Sequence, residues 1–333
     1  MAGRTSIYDI AAEAGVAAST VSRVLTHHPN VSAKTREKVQ AIIDRHHFTP
    51  NLSAQALEPT KQRIKTLGVI MPEVTDHYSG KILCAATREA KRLGYETLLF
   101  MLPAGENYDI NDTVNRLIRR RLDGALYSGG VFEAVRSDLP GALNRLMEYM
   151  PVVAISPPID GVNCTFLHND LETTMYHAVQ HLYMLGHRRT AFIGGARTMK
   201  DSGARARGYL RAVKELGLTD IPSHHGEGGF TAESGEIAVL RLFSETDEAS
   251  RPTAVLAFSD LVALGALKQL HAMGLRVPED VAIIGCDNTF FSAYTIPPLT
   301  TIDLYSEERA ITAVDELINC SQEATPKPPF TLV

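Results

Sequence analysis

The sequence predicts an all-α head followed by a larger α/β core of two lobes, each built on a parallel sheet. Three observations predict it. The chain has 333 residues, more than one ordinary domain needs. Its first fifty positions carry apolar residues at helical spacing around a glycine, the pattern of short packed helices. Beyond Lys65, short apolar runs alternate with amphipathic stretches, the texture of strand–helix–strand units.

In the head, Ile7, Ile10, Ala11 and Ala14 recur on one helical face, and Gly15 gives the permissive backbone of a tight turn. A second helix opens over Ala17 to Thr20, with Val21, Val24 and Leu25 as its apolar stripe. Ser32 can cap a third helix, predicted over Thr35 to His46, which packs through Val39, Ile42 and Ile43. Two short helices joined by a glycine turn and closed by a third can form a helix-turn-helix, although many small helical bundles share that periodicity. Pro50 ends the bundle, and Asn51 to Leu57 is a helix-capable run too short to persist alone.

Strands are predicted over Thr66–Met71, Glu96–Phe100, Gly124–Tyr127 and Val152–Ile155, with helices near Lys81–Leu93, Asn111–Arg121 and Leu139–Tyr149. A second set follows: strands near Cys164–Leu167, Ala191–Gly194, Ala254–Phe258 and Val281–Gly285, and helices near Glu172–Leu185, Ala204–Leu216, Glu233–Phe243 and Leu261–Met273. Leu299–Asp303 and Ser306–Ile318 read as one more strand–helix unit. The predicted domains are therefore a head at 1–50, a hinge helix and linker at 51–65, and a core at 66–333. Within the core, one lobe takes about 66–160 with 299–333, and the other about 161–298.

Composition narrows the function classes. Residues 1–65 carry nine Lys and Arg against five Asp and Glu, a net of +4, and the remainder carries 24 against 33, a net of -9. A basic head on an acidic body suits a nucleic-acid binder with a separate sensor. No apolar run reaches membrane-span length and the N-terminus has no leader-like pattern, so a cytoplasmic protein is expected. Cys84, Cys164, Cys286 and Cys320 are widely spaced, which speaks for reduced thiols and against a zinc site. The 12 histidines form no ligand set, and neither a P-loop, a dinucleotide fingerprint nor a nucleophile elbow occurs. No cofactor, no metal and no catalytic residue are expected.

The run Ser6–Leu25 (SIYDIAAEAGVAASTVSRVL), with Val31–Val39 (VSAKTREKV) and Phe48–Asn51 (FTPN), closely resembles the head of the lactose-repressor (LacI/GalR) family. The resemblance continues in Gly186–Arg189 (GHRR), Ser259–Ala266 (SDLVALGA), Gly274–Asp280 (GLRVPED) and Pro297–Ile302 (PPLTTI), and so covers nearly the whole chain. It implies a periplasmic-binding-protein-like core whose tail crosses back to the first lobe, and a homodimeric, repressing transcription regulator without membrane attachment. Operator DNA and a sugar-like effector are its implied partners. By this resemblance Ala18, Ser19 and Arg23 face base edges in the major groove, where the Arg23 fork can meet guanine O6 and N7 together. Thr20 and Ser22, with Tyr8, Asn30, Ser32, Thr35 and Arg36, are placed along the phosphates, and for Asn30 and Ser32 a capping role is an equal alternative. Asn51 and Leu57 belong to a hinge helix that drives Leu57 into the minor groove. Glu58 departs from the family there, since a carboxylate beside the groove is repelled by DNA.

Family ligand positions map onto loops after strands, where they offer Asp76, Tyr78, Asp170, Arg205, Asp260 and Asp287. A carboxylate and a guanidinium can each grip two adjacent hydroxyls of a polyhydroxylated ligand, or the pair can form an ion pair between lobes. Ser259 stands where relatives commonly carry Asn, so the hydroxyl pattern of the ligand is this chain's own. Phe290 and Phe291 can stack on a sugar ring or fill core. Two rival classes share the core architecture: an extracytoplasmic sugar-binding protein, which would need an export leader and no basic head, and a two-lobed α/β enzyme, which would need a nucleophile–base set or a cofactor fingerprint.

Overall fold

The computed structural model describes residues 7–25, 28–46, 64–72, 77–102, 108–129, 137–196, 200–221, 227–319 and 331–332. The chain divides into two compact units, Met1–Ile64 and Lys65–Val333. The expected hinge, with Asn51 and Leu57, lies outside the described residues.

In the first unit, α1 (Ile7–Ala14), α2 (Ala18–Leu25) and α3 (Ala33–Arg45) enclose Ile10, Ala14, Val21, Val24, Val39 and Ile42. Gly15 takes φ 65° and lets the Val16 amide donate back to Ala11 at 3.0 Å, which closes the turn into α2. Ser32 caps α3: its Oγ accepts from the Thr35 amide at 3.2 Å, so the helix begins before Thr35. Glu13 on α1 accepts from Arg45 at 2.8 Å and contacts His46 at 2.7 Å, fastening the far end of α3.

The first lobe of the core runs β1 (Thr66–Pro72), α4 (His77–Arg92), β2 (Glu96–Leu102), α5 (Ile110–Arg120), β3 (Gly124–Ser128), α6 (Leu139–Met147), β4 (Val152–Ile155) and β5 (Thr165–Phe166). Its five strands lie in the order β2-β1-β3-β4-β5, all parallel. One face packs Phe100, Val114, Leu117, Leu143 and Leu146, and the other packs α4 through Ile82 and Ala86. β3 and β4 are buried throughout, which is why they read as unbroken apolar runs.

The second lobe runs α7 (Leu171–Met184), β6 (Arg189–Ile193), β7 (Gly195–Ala196), α8 (Lys200–Glu215), β8 (Thr219–Asp220), β9 (Glu227–Gly229), α9 (Ala232–Ser244), β10 (Ala254–Ala257), α10 (Asp260–Ala272) and β11 (Ala282–Ile284). Its parallel sheet has the order β11-β10-β6-β8. The tail adds β12 (Ile302–Asp303), α11 (Ser306–Asn319) and β13 (Thr331–Leu332), with β12 and β13 antiparallel.

Two assignments of strands to lobes change. The strand near Cys164–Leu167 pairs with β4 and completes the first sheet, because its short register, Val153 with Thr165 and Ala154 with Phe166, extends that edge. Conversely, the tail splits. Residues 299–304 stay with the second lobe, where Gly285 and Asp287 donate to Thr300 and Ile302 at 2.8 Å and Leu299, Ile302 and Leu304 join the core. Only α11 crosses to the first lobe, burying Ala310, Ala313, Val314 and Leu317 beside α4. Among the described residues the chain passes between lobes at 167–170 and at 304–306, and β13 pairs back onto β12 after α11; the first two crossings touch, since Asn169 Nδ2 donates to Leu304 O at 3.0 Å.

Two helices of the second lobe, α9 and α10, approach so closely that a methyl group at Gly265 would overlap the carbonyl oxygen of Ala232. Gly80 on α4 has open space where its Cβ would stand. Gly265→Ala is expected to destabilise the protein by at least ~1–3 kcal/mol through overpacking against backbone. Gly80→Ala is expected to stabilise it by up to about 1 kcal/mol through helix propensity. Thermal unfolding of both variants checks this; an unchanged or raised midpoint in Gly265→Ala contradicts the close approach.

Candidate functional site

On α2 the stripe of Val21 and Val24 is buried, so Ser19 and Arg23, one turn apart, come out on the exposed face. Ala18, Thr20 and Ser22 flank them and are partly exposed. Tyr8 on α1 is 74% exposed. At the start of α3, Ser32 and Thr35 are hydrogen-bonded to each other at 2.8 Å, and Arg36 donates to the His28 carbonyl at 2.7 Å. The Asn30 amide donates to His28 Nδ1 at 3.2 Å. Ser32 therefore does cap α3, while Arg36 and Asn30 brace the loop ahead of it. This face offers small side chains and a long cation, without a buried or strained polar group.

The core holds a cavity of about 610 Å³ at the carboxyl ends of strands from both sheets, the place where sheets of this kind present loops to a ligand. Ser128 and Ser156 reach it after β3 and β4, Phe230 after β9, and Phe258 and Ser259 after β10. Arg205 on α8 is 5% exposed, lies 4.1 Å from the centre of the Phe258 ring, and donates Nη1 to the Phe258 carbonyl. Its Nε has no acceptor. Asp201, one turn earlier on α8, presents a buried Oδ1 with no partner. Burial pushes the Asp201 carboxyl above the ordinary carboxylate range, against the opposing pull of Arg205, Arg309 and His168. Tyr78 accepts from Arg309 Nη2 at 3.3 Å. Burial raises the Tyr78 phenol further, so it stays protonated at neutral pH.

Of the predicted ligand positions, Tyr78, Arg205 and Asp287 line this one cavity. Tyr78 lies on a helix and not in a loop, because α4 begins about a turn earlier than the apolar pattern indicated, and Arg205 lies on α8, within the helix predicted from Ala204. Asp287 stands in the loop after β11 at φ 109°, with its amide donating to Ile302. Asp76 lies outside the described residues. Two positions do not face the cavity. Asp170 caps α7, accepting from the Thr173 amide at 2.9 Å and its hydroxyl at 2.6 Å. Those hydrogen bonds, the side-chain one first, hold its carboxyl below the usual range.

Asp260 is fully buried and accepts from the Thr289 amide at 2.7 Å, the Thr289 hydroxyl at 2.8 Å and the Thr301 hydroxyl at 2.5 Å. It positions the loop that carries Asp287 and does not itself reach a ligand. Phe291 lines the cavity while Phe290 is 66% exposed, so neither fills core. Both contact His77 of the first lobe, at 5.0 Å and 6.5 Å between ring centres.

Asp201, Arg309, Phe230 and Phe258 were missed as lining residues. Asp201 was recoverable from its spacing of four from Arg205 once α8 is started correctly. Arg309 carried a different signal: a cation in the first turn of α11, where the helix dipole favours anions.

Comparison with known proteins agrees with this division. Residues 6–51 match the family of bacterial regulatory proteins, lacI family, and residues 179–333 match a periplasmic binding protein-like domain. Catabolite control protein A of Priestia megaterium is 32% identical over 307 residues, covering 89% of this chain and 86% of its own. A Lac repressor dimer bound to operator and an anti-inducer is similar at TM-score 0.77 and 27% identity, covering 99% of this chain and 98% of its own. The transcriptional regulator CelR in complex with cellobiose is similar at TM-score 0.66 and 28% identity, over 96% and 95%.

The roles read for the two aspartates separate in denaturation. Asp260→Ala leaves three buried donors without an acceptor and is expected to cost roughly 3 kcal/mol or more. Asp170→Ala removes a helix cap and is expected to cost about 1 kcal/mol. Urea titrations of both variants test this; equal losses would show that Asp260 is no more than another cap.

Proposed function

Because the chain belongs to the lacI family of bacterial regulatory proteins, and is thus a DNA-binding transcription regulator, we infer that it acts as a homodimeric repressor whose operator affinity is set by a sugar-like effector in the core cavity. The observation that carries this reading is the cavity itself, where guanidinium groups and the Asp201 carboxyl with unused hydrogen-bonding atoms face aromatic rings. Polar groups of that kind fix hydroxyls, and rings such as Phe230 and Phe258 take the apolar face of a pyranose. The cellobiose complex of CelR supports the ligand class, and the Lac repressor dimer supports pairing on a near-palindromic operator.

In this reading Arg23 reads guanine from α2, with Ala18 and Ser19 contributing shape and a thymine-methyl contact. Tyr8, Thr20, Ser22, Asn30, Ser32, Thr35 and Arg36 fix register on phosphates, and Asn51 and Leu57 serve the hinge. Arg205, Asp287 and Tyr78 hold the effector. Its binding changes operator affinity only as far as it prefers one arrangement of the lobes over another. The activity is binding and not catalysis, and it is exercised where the DNA is, in the cytoplasm.

Base readout is tested by Arg23→Ala. On an operator selected from a random duplex pool the loss is expected to be roughly 1–3 kcal/mol, with affinity for unrelated DNA nearly unchanged. A gel-shift titration with equal losses on both DNAs would sink the assignment.

The sensor is tested by Asp287→Ala and Arg205→Ala in variants shown to be native by circular dichroism. Each is expected to abolish the effect of the effector on operator binding while sparing operator affinity in its absence. Unchanged effector affinity by calorimetry in both variants would falsify the cavity assignment.

A further inference from the structure

Two guanidinium groups enter the cavity from opposite lobes, and both hold N–H groups that meet no acceptor. Arg205, from the second lobe, leaves Nε unpaired. Arg309, from the first turn of α11 on the first lobe, spends Nη2 on the Tyr78 hydroxyl and leaves Nε and Nη1 buried without a partner. Among the fully buried atoms of the described lining residues, these three donors face one unpartnered acceptor, Oδ1 of Asp201, and the Asp287 carboxylate also lines the cavity. The imbalance has a chemical meaning. A sugar hydroxyl both donates and accepts, so each one that accepts from an arginine still carries a proton that needs an acceptor of its own. A carboxylate or phosphate oxygen only accepts, and guanidinium groups bind such oxygens through parallel, charge-assisted hydrogen bonds. The position of Arg309 points the same way. At the first turn of a helix its charge works against the dipole, and with two buried nitrogens unpaired it works against desolvation as well. An anion between the two arginines relieves both costs.

We propose that the effector carries an anionic oxygen group, a carboxylate or a phosphate, gripped by Arg309 together with Arg205, and that Arg309 is the residue that selects for this charge. The proposal rests on the cavity being the effector site. It makes the effector an acidic sugar derivative, with the polyol portion left to Asp287, Asp201 and the aromatic rings.

The test compares the wild-type chain with Arg309→Leu in thermal-shift titrations at constant ionic strength. Leu removes an incompletely paired buried charge and is expected to leave the fold intact; Arg309→Gln, which keeps a donor without the charge, replaces it if Leu does not fold. The probes are inorganic phosphate, gluconate, glucose 6-phosphate and glucose. At least one of the three anions is expected to raise the wild-type Tm saturably, with a dissociation constant at least roughly tenfold weaker in Arg309→Leu. Any response to glucose is expected to be the same in both. A response to gluconate but not to phosphate or the ester identifies the carboxylate, and the reverse identifies the phosphate. The proposal is overturned if no anion shifts the wild type, or if the anions shift both variants equally. A saturable shift by glucose alone, equal in both variants but lost in Asp287→Ala, overturns it while leaving the cavity as the effector site.

Discussion

Burying a carboxylate is costly unless hydrogen-bond donors surround it, and the ligand side of the second lobe is arranged so that Asp260 has them. Its two oxygens collect Thr289 from the loop after β11 and Thr301 from the segment before β12, while its own amide donates to Cys286 at 2.7 Å. Two stretches distant in sequence, the loop after β11 and the segment before β12, are thereby tied to the start of α10. Burial still pushes the Asp260 carboxyl up, with the Thr289 and Thr301 hydrogen bonds pulling it back. The left-handed backbone at Asp287 and Asn288 depends on this fastening. Asn288 is further held by the Thr301 hydroxyl at 3.2 Å and by Asp303 at 3.0 Å. What the cavity displays at Asp287 is thus decided by a residue the cavity never touches.

Much of the fold was legible because its signals are local. The alternation of apolar runs and amphipathic helices identified the strands of both sheets except the two-residue β8, and Gly15 and Ser32 marked the head's helices within a residue or two. Partnership between strands was not legible. A strand of two residues, Thr165 and Phe166, carries no periodicity that says which sheet it extends. The tail strand and tail helix likewise look like one unit, although they part between Leu304 and Ser306. The site divided along the same line. The family resemblance offered Arg205, Asp287, Asp260 and Asp170 alike; the last two share the chemistry of ligand carboxylates and differ only in which way they face. Arg309 lies on a helix whose apolar stripe explains Ala310, Ala313 and Val314 and gives no hint of a cavity at its first turn.

The two units use arginine in opposite ways. Arg23 sits on an exposed helical face beside a buried valine stripe, within reach of a partner arriving from solvent. Arg205 is desolvated already, lying on the Phe258 ring and bonded to the Phe258 carbonyl, and so is fixed in place before any ligand arrives. An exposed arginine gives up mobility on binding, and a buried one has given it up in folding. The core therefore carries its guanidinium already desolvated, and the head presents its own on the surface.

The two passages of chain at 167–170 and 304–306 lie side by side, joined by the hydrogen bond from Asn169 to Leu304, and both of those residues also line the cavity. A pivot at these two passages would lie in the wall of the cavity itself. A molecule seated at the fulcrum acts over a very short arm, while the outer edges of the lobes travel on long arcs for the same angle. Small adjustments around the ligand are geared up with distance, as at the tips of a pair of tongs pressed near the rivet.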